Sequence, residues 1–302
     1  MMAASARVLH CAGKAVLALV CISQLSGCSD QRPPVLYPDG PVALATRDLL
    51  LIAVGLMFIV VIPVFVLTAF VIWRYRASDP KGRYTPDWGF SWPIDIVVWA
   101  VPIAIVTILG LLVWIKTHEL DPYRAVAAPG APIVVEVVAL DWKWLFIYPE
   151  QNIASVNRLV FPAGRGLMLK ITSDTVMNAF VVPALGGQIY AMAGMQTQLN
   201  LLADAPGTFE GHNTQFSGKG FSQDRFTAEA TTQQGFDNFV SNARTAGERL
   251  DAQTYDVLAQ PTTSSPQRVY SDVDPNLFSN IIVKYIDHVQ LPERSPNIAP
   301  LP

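Results

Sequence analysis

Beyond position 28 this chain has no cysteine: its three, Cys11, Cys21 and Cys28, all fall in the first tenth of the 302 residues. A disulfide framework or a thiolate metal site in the body of the protein is excluded. Charge is scarce as well, at 15% of residues, and neither sign dominates: 21 Lys and Arg stand against 24 Asp and Glu, for a formal charge of -3. That supplies no basic field to neutralise nucleic-acid phosphates, so a nucleic-acid partner is set aside. Only four histidines occur, and His118, His212 and His288 are far apart in the chain. No nucleophile–base pairing and no glycine-rich phosphate loop is visible, which leaves hydrolase and transferase chemistry without support.

Apolar residues make up 51% of the chain, which calls first for membrane segments. Residues 1–27 read as a secretory signal peptide: Arg7 and Lys14 without an acid, then the apolar run 15–22. The run ends in Leu25-Ser26-Gly27-Cys28, which looks like a bacterial lipobox and would leave Cys28 as the lipid-modified (palmitate-type) first residue of the mature chain. The alternative, an uncleaved helix with Cys28 as a buried thiol, lacks the roughly 20 apolar residues needed to span a bilayer. Several acyl chains together hold stably where one holds marginally.

Two uncharged runs, 49–73 and 96–115, are long enough to cross a hydrocarbon core of roughly 30 Å and define a transmembrane hairpin over 47–118, preceded by a periplasmic segment 28–46. Pro63 and Pro102 fall inside them, as lipid-buried helices tolerate. Arg74, Arg76, Lys81 and Arg83 sit in the short connection, whereas the outer flanks carry Arg32 and Arg47 on one side and Lys116 and Arg124 on the other. The positive-inside rule puts that connection in the cytoplasm and both termini in the periplasm, in agreement with the lipobox. Trp73, Tyr75, Trp88, Trp92 and Trp114 lie near helix ends, where amphipathic rings prefer the interface. Asp95 is an acid at the cytoplasmic edge of the second helix, open to two readings: a helix-start carboxylate favoured by the macrodipole, or a carboxylate that takes up protons.

After Pro132 the texture changes to short apolar or alternating runs at 133–140, 142–148, 167–171, 180–183, 197–202 and 225–229, separated by turns such as Pro162-Ala163-Gly164 and Ala205-Pro206-Gly207. Strands at this spacing predict a Greek-key sandwich over 130–232. Over 233–302 the pattern predicts helices, one from about 236 to 250 and a last one opened by Asp274-Pro275, with a polar break at 261–266. The predicted architecture is membrane α plus all-β, a two-helix hairpin followed by a β-sandwich with C-terminal helices.

Three stretches are specific. Asp141-Trp142-Lys143-Trp144-Leu145-Phe146-Ile147-Tyr148-Pro149-Glu150, Val176-Met177-Asn178-Ala179-Phe180-Val181-Val182-Pro183-Ala184-Leu185-Gly186 and Ile189-Tyr190-Ala191-Met192-Ala193-Gly194-Met195 resemble the second subunit of haem-copper terminal oxidases, in its quinol-oxidising, cytochrome bo-type branch. The resemblance covers essentially the whole mature chain and implies a cupredoxin-like periplasmic domain. In the cytochrome c-oxidising branch that domain holds a dinuclear copper centre built on two cysteines, two histidines, a methionine and a backbone carbonyl. Laid on this chain, the histidine positions fall at Asn178 and Phe221, the cysteines at Asn213 and Ser217, the methionine at Asp224 and the carbonyl donor at Gln215. Every side-chain ligand is missing, and soft thiolates are what such a centre needs. Independently of any family, the absence of cysteine and the scattered histidines rule out either type of cupredoxin copper site. His212, the one histidine near these positions, reads as a solvated loop side chain. Trp142, Trp144, Phe146 and Tyr148 resemble a cytochrome c docking patch but are read as the alternating core and surface of a strand.

The resemblance then implies a non-catalytic structural subunit of a proton-pumping terminal oxidase, in which ubiquinol is oxidised in subunit I, the carrier of the haems and copper, and dioxygen is reduced to water. Partners would be subunit I, subunits III and IV and membrane lipid, with no cytochrome c; the site would be the bacterial inner membrane. Asp95 resembles in position the carboxylate at which protons enter one uptake path. Two other readings are weighed against this one. A cytochrome c oxidase subunit II is contradicted by Asn213 and Ser217; a free-standing membrane-anchored cupredoxin-like binding lipoprotein would differ in bringing no haem protein with it.

Overall fold

The computed structural model describes residues 33–76, 89–246, 248–263 and 265–286. The signal peptide and Cys28, the connection residues Lys81, Arg83 and Trp88, and His288 lie outside the described residues.

Helix α1 spans Pro41–Arg74 and α2 spans Trp92–Glu119, each extending past its apolar run at both ends. Proline at the first turn of both suits the helix start, because the missing N–H would have no partner there anyway. Both are long and apolar enough to cross a membrane, and among the described residues nothing buries their apolar stretches. Neither helix buries the apolar stretch of the other.

Twelve strands and three helices follow among the described residues: β1 Ile133–Leu140, β2 Lys143–Tyr148, β3 Ile153–Val156, β4 Arg158–Pro162, β5 Leu167–Ser173, β6 Asn178–Val181, β7 Gln188–Ala191, β8 Thr197–Leu201, β9 Gly207–Asn213, β10 Arg225–Thr231, α3 Gln233–Ala246, β11 Glu248–Leu250, α4 Ala252–Ala259, β12 Arg268–Val273 and α5 Leu277–Ile286. They form a seven-stranded sheet in the order β11-β12-β3-β2-β1-β5-β8 and a five-stranded sheet in the order β4-β10-β9-β6-β7. Three pairs are parallel, β1–β5, β4–β10 and β11–β12, and the other pairs are antiparallel; the first two are the crossovers of a Greek-key sandwich. Between the sheets Trp144, Phe146, Phe180 and Phe226 fill the centre, with Phe180 stacked on Phe226 at 4.9 Å and Trp144 edge-on to Phe180 at 5.3 Å. Aromatic pairs in this geometry add about 0.5–1.5 kcal/mol each beyond the area they bury.

Two expectations need correction. Strand β2 does not alternate between core and surface, since every residue of Lys143–Tyr148 is buried. Its Trp144, Phe146 and Tyr148 face the sandwich, while Leu145 and Ile147 lie under a second core made with Tyr255, Leu258, Leu277, Phe278 and Ile281 of α4 and α5. The C-terminal region is also not purely helical. The helix expected to 250 stops at Ala246, and β11 and β12 extend the large sheet through an antiparallel pairing of β12 with β3. A single buried carboxylate fastens this arm: Asp174 accepts from Tyr255 Oη at 2.7 Å and from Lys284 Nζ at 2.8 Å, and its carbonyl accepts from Tyr285 Oη at 2.8 Å. The last helix begins at Leu277 rather than at the Asp274-Pro275 turn, where the Asp274 side chain accepts from Asn276 N at 2.9 Å.

The sandwich is joined to the outer ends of both long helices. Asp39 donates to the Ala184 carbonyl at 2.8 Å and accepts from Asp204 at 3.0 Å, and Asn200 donates to the Pro122 carbonyl from both its backbone and its side chain, at 3.1 and 3.0 Å. Gly186, at φ 89°, lets the backbone of Ala43 pass: a Cβ there would sit 2.7 Å from the Ala43 nitrogen. These bonds fix where the sandwich's loops sit relative to the ends of the two long helices.

Candidate functional site

Five of the six positions set against copper ligands come from one corner of the small sheet. Asn178 opens β6, Asn213 closes β9, Asp224 immediately precedes β10, and the turn between β9 and β10 carries Gln215 and Ser217. Antiparallel pairing of β6 with β9 and of β9 with β10 brings these ends together although they are up to 46 residues apart in number.

Asn213 is the hub. Its amide nitrogen donates to Asn178 Oδ1 at 2.6 Å, to Asp224 Oδ2 at 2.9 Å and to Ser217 Oγ at 3.2 Å. Its oxygen accepts from the backbone N–H of Ala179 at 2.8 Å and of Gln215 at 3.0 Å. An amide has two N–H bonds and two lone pairs, so this side chain is saturated. Asn178 in turn donates to the Val176 carbonyl at 2.8 Å. Asn178, Asn213 and Asp224 are all buried. The middle of the site is an amide nitrogen whose two N–H bonds are shared among three oxygens. That donor set of amide, hydroxyl and carboxylate, with no thiolate or imidazole, does not fit a thiolate-bridged copper centre.

Asp224 is the exception to the saturation. It is 1% exposed, and its Oδ1 has no hydrogen-bond partner. Burial pushes its pKa up to about 6, against the lowering effects of the Asn213 hydrogen bond and of the nearby Trp144 indole, with Asp141 adding to the rise. Trp144 Nε1 approaches closely enough to be felt electrostatically, yet does not complete a bond of normal geometry and is itself unpaired. A buried carboxylate that lacks a partner for one oxygen favours its neutral form.

Phe221 stands apart from the amide cluster. It is half-buried on a short 3-10 turn, with its ring packed against exposed Phe216 at 5.7 Å. His212 lies within β9 rather than on a loop, and strand alternation turns it away from Asn213. Burial lowers its pKa, with Glu210 raising it and Arg225 lowering it.

Trp142 was singled out only as one of an aromatic group. It is held at φ 62°, uncommon for so bulky a residue, and its indole N–H donates to the Ser217 carbonyl at 3.0 Å. Its ring lies where a Cβ on Gly220 would have to be, so Trp142 closes the 217–220 turn over the cluster. The closely spaced Gly218 and Gly220 were the signal in the sequence. Asp95 sits in the first turn of α2, far along the chain from this cluster, with its backbone N–H bonded to the Ser91 carbonyl at 2.9 Å.

The long apolar helices and the β-sandwich together define a protein with membrane-length helices and a cupredoxin-type domain. The cytochrome c oxidase subunit II periplasmic-domain family matches residues 149–230, and the COX aromatic rich motif family matches 244–289, the arm that carries α4, β12 and α5. The chain is 47% identical over 261 residues to cytochrome bo(3) ubiquinol oxidase subunit 2 of Pseudomonas putida, covering 86% of this chain and 82% of the relative. It is 43% identical over 263 residues to ubiquinol oxidase subunit 2 of Acetobacter aceti (86% and 84% covered), and 36% identical over 278 residues to quinol oxidase subunit 2 of Bacillus subtilis strain 168 (91% and 83% covered). Among solved structures, the periplasmic domain of subunit II of cytochrome oxidase of Bradyrhizobium japonicum is 22% identical with a TM-score of 0.37, covering 39% of this chain and 98% of that one. The chain belongs to the subunit 2 family of quinol oxidases, which are haem-copper oxidases. Its two membrane-length helices and periplasmic-type domain fit an inner-membrane protein.

Proposed function

We propose that this chain is the copper-free structural subunit of a proton-pumping ubiquinol oxidase, and that electrons reach the haems in subunit I directly from ubiquinol. The observation that carries this reading is the saturated Asn213 hub: an amide occupies the middle of the site and the domain has no thiolate, so nothing here could relay electrons from cytochrome c. The apolar stretches of the two long helices support an assembled state, because they are left unburied and open to lipid and partner helices. Subunit I, with subunits III and IV, supplies those helices; the C-terminal domain caps subunit I from the periplasm, and Cys28 carries the lipid anchor.

Asp95 serves as a proton-uptake carboxylate at the cytoplasmic end of α2. An acid at that edge exchanges protons with bulk water while facing a buried path. An Asp95→Asn variant that turned over and pumped at the native rate would remove this role.

The deciding experiment purifies the tagged chain from membranes in mild detergent, records the haem spectrum of what comes with it, and compares oxygen uptake with ubiquinol and with reduced cytochrome c. Haem with ubiquinol-only activity is the expected result. Activity with cytochrome c would overturn the copper-free electron route, and absence of haem would favour a free-standing lipoprotein.

A further inference from the structure

Beneath the C-terminal arm is a cavity of about 450 Å³ lined in part by Lys143, Glu248, Arg268 and Tyr270. Lys143 is 2% exposed, yet it forms no ion pair among the described residues; its amine donates once, to the Gln260 carbonyl at 2.6 Å. Buried charges are normally paired, because an uncompensated ammonium costs several kcal/mol or shifts its pKa. Burial does hold this amine below the usual lysine range; Asp141 draws it back up and Arg268 pushes it down again. Asp141 is itself engaged by Thr175, at 2.6 Å.

Arg268 lines the same cavity from β12 and also makes no ion pair among the described residues. Tyr270, two residues on and on the same face of the strand, is buried and donates its hydroxyl to no acceptor among them. An ammonium, a guanidinium and a phenol, all able to donate and two of them cationic, therefore border one space. Glu248 on the rim is exposed, which leaves two cations to one carboxylate.

We propose that this cavity binds a small oxyanion, a phosphate or carboxylate group carried by a periplasmic solute, between Lys143 and Arg268. Guanidinium and ammonium donors are the groups that hold such oxygens most strongly, and Arg offers two parallel bonds where Lys offers a point charge. The space exceeds what one chloride would fill and falls in the usual range for small-molecule sites. Because β12 and the β2 lysine meet only when the arm is docked, a bound anion would also tie the arm to the sandwich.

The test uses the full-length chain extracted in mild detergent with whatever copurifies, so that it stands whether or not haem is present. Inorganic phosphate and, separately, succinate are titrated by calorimetry at constant ionic strength against chloride. Saturable one-to-one binding of either above the chloride background is expected, and which one binds tells a phosphate-bearing solute from a carboxylate. Arg268→Gln, at an exposed position that should leave folding intact, is expected to weaken it roughly tenfold, the loss of one charge-assisted contact. Lys143→Met should abolish it. Binding no stronger than chloride, or binding unchanged in Arg268→Gln, would overturn the proposal.

Discussion

The two halves of this molecule solve burial in opposite ways. The sandwich covers itself twice: its inner faces close on Trp144, Phe180 and Phe226, and the outer face of β2 is sealed by α4 and α5. The long helices cover nothing of themselves, with Phe65 at 73% and Trp99 at 71% exposed. A water-soluble domain must bury apolar surface to offset its conformational entropy, whereas a helix in lipid needs only its backbone bonds satisfied. Substitutions in the two halves should therefore register in different measurements.

The largest effect is expected at the inner core. Phe180→Ala removes the ring that touches Phe226, Trp144 and Phe146 and leaves a cavity under the Asn213 hub. It should cost about 3–5 kcal/mol of domain stability, read by denaturant unfolding followed by tryptophan fluorescence. A loss below about 1 kcal/mol would mean that the sandwich leans on something outside itself.

Next comes the arm. Asp174→Ala strips Tyr255 and the partly exposed Lys284 of their shared acceptor and should cost about 2 kcal/mol, concentrated in α5. Hydrogen exchange should show faster amides over 277–286 with the inner strands unchanged. Uniform acceleration would show the arm and sandwich to be one cooperative unit.

A smaller, pH-dependent effect belongs to Asp224. Its folded pKa of about 6 lies above the ordinary 3.8, so the folded state holds a proton that the unfolded state releases between those values. The resulting stability is fully present below about pH 4 and lost as pH rises through 6, at most about 2–3 kcal/mol. Asp224→Asn should flatten the stability profile between pH 4 and 7 relative to the native chain. Parallel profiles would mean that the carboxylate stays ionised and has found a partner for Oδ1.

Much of this was legible in the residues. The two spans and six of the strands follow from uncharged runs and alternation, whereas the six ligand-equivalent positions rest on the family resemblance alone. Strand β2 was misread because period-two reasoning assumes one wet face, and nothing local in Lys143–Tyr148 announces that residues more than 100 positions later cover the other. Strand β11 was hidden for a related reason: three residues after a helix continue its pattern, and only pairing with β12 makes them a strand. The chemistry of the corner site was readable as a missing thiolate. That Asn213 would fill the middle, and that Asp224 and Trp144 would each keep an unmatched atom, depends on strand register and on the Trp142 backbone at φ 62°, which no spacing encodes.

The smallest effect within the chain is expected on the helices, and it is the one that bears most on their partners. Phe65→Ala in α1 removes a ring that touches no buried core, so the domain's unfolding should move by less than about 0.5 kcal/mol. Helix association in lipid rests on van der Waals packing rather than on apolar burial, so a lost ring matters only where a partner helix sits against it. If the amount of haem protein copurifying with the chain falls in Phe65→Ala but holds in Trp99→Ala, Phe65 marks the partner side of its helix and Trp99 a lipid-facing side. Equal retention in both would place the assembly contacts on other faces of the helices or on the domain, and would shift the weight of the comparison from the membrane to the sandwich.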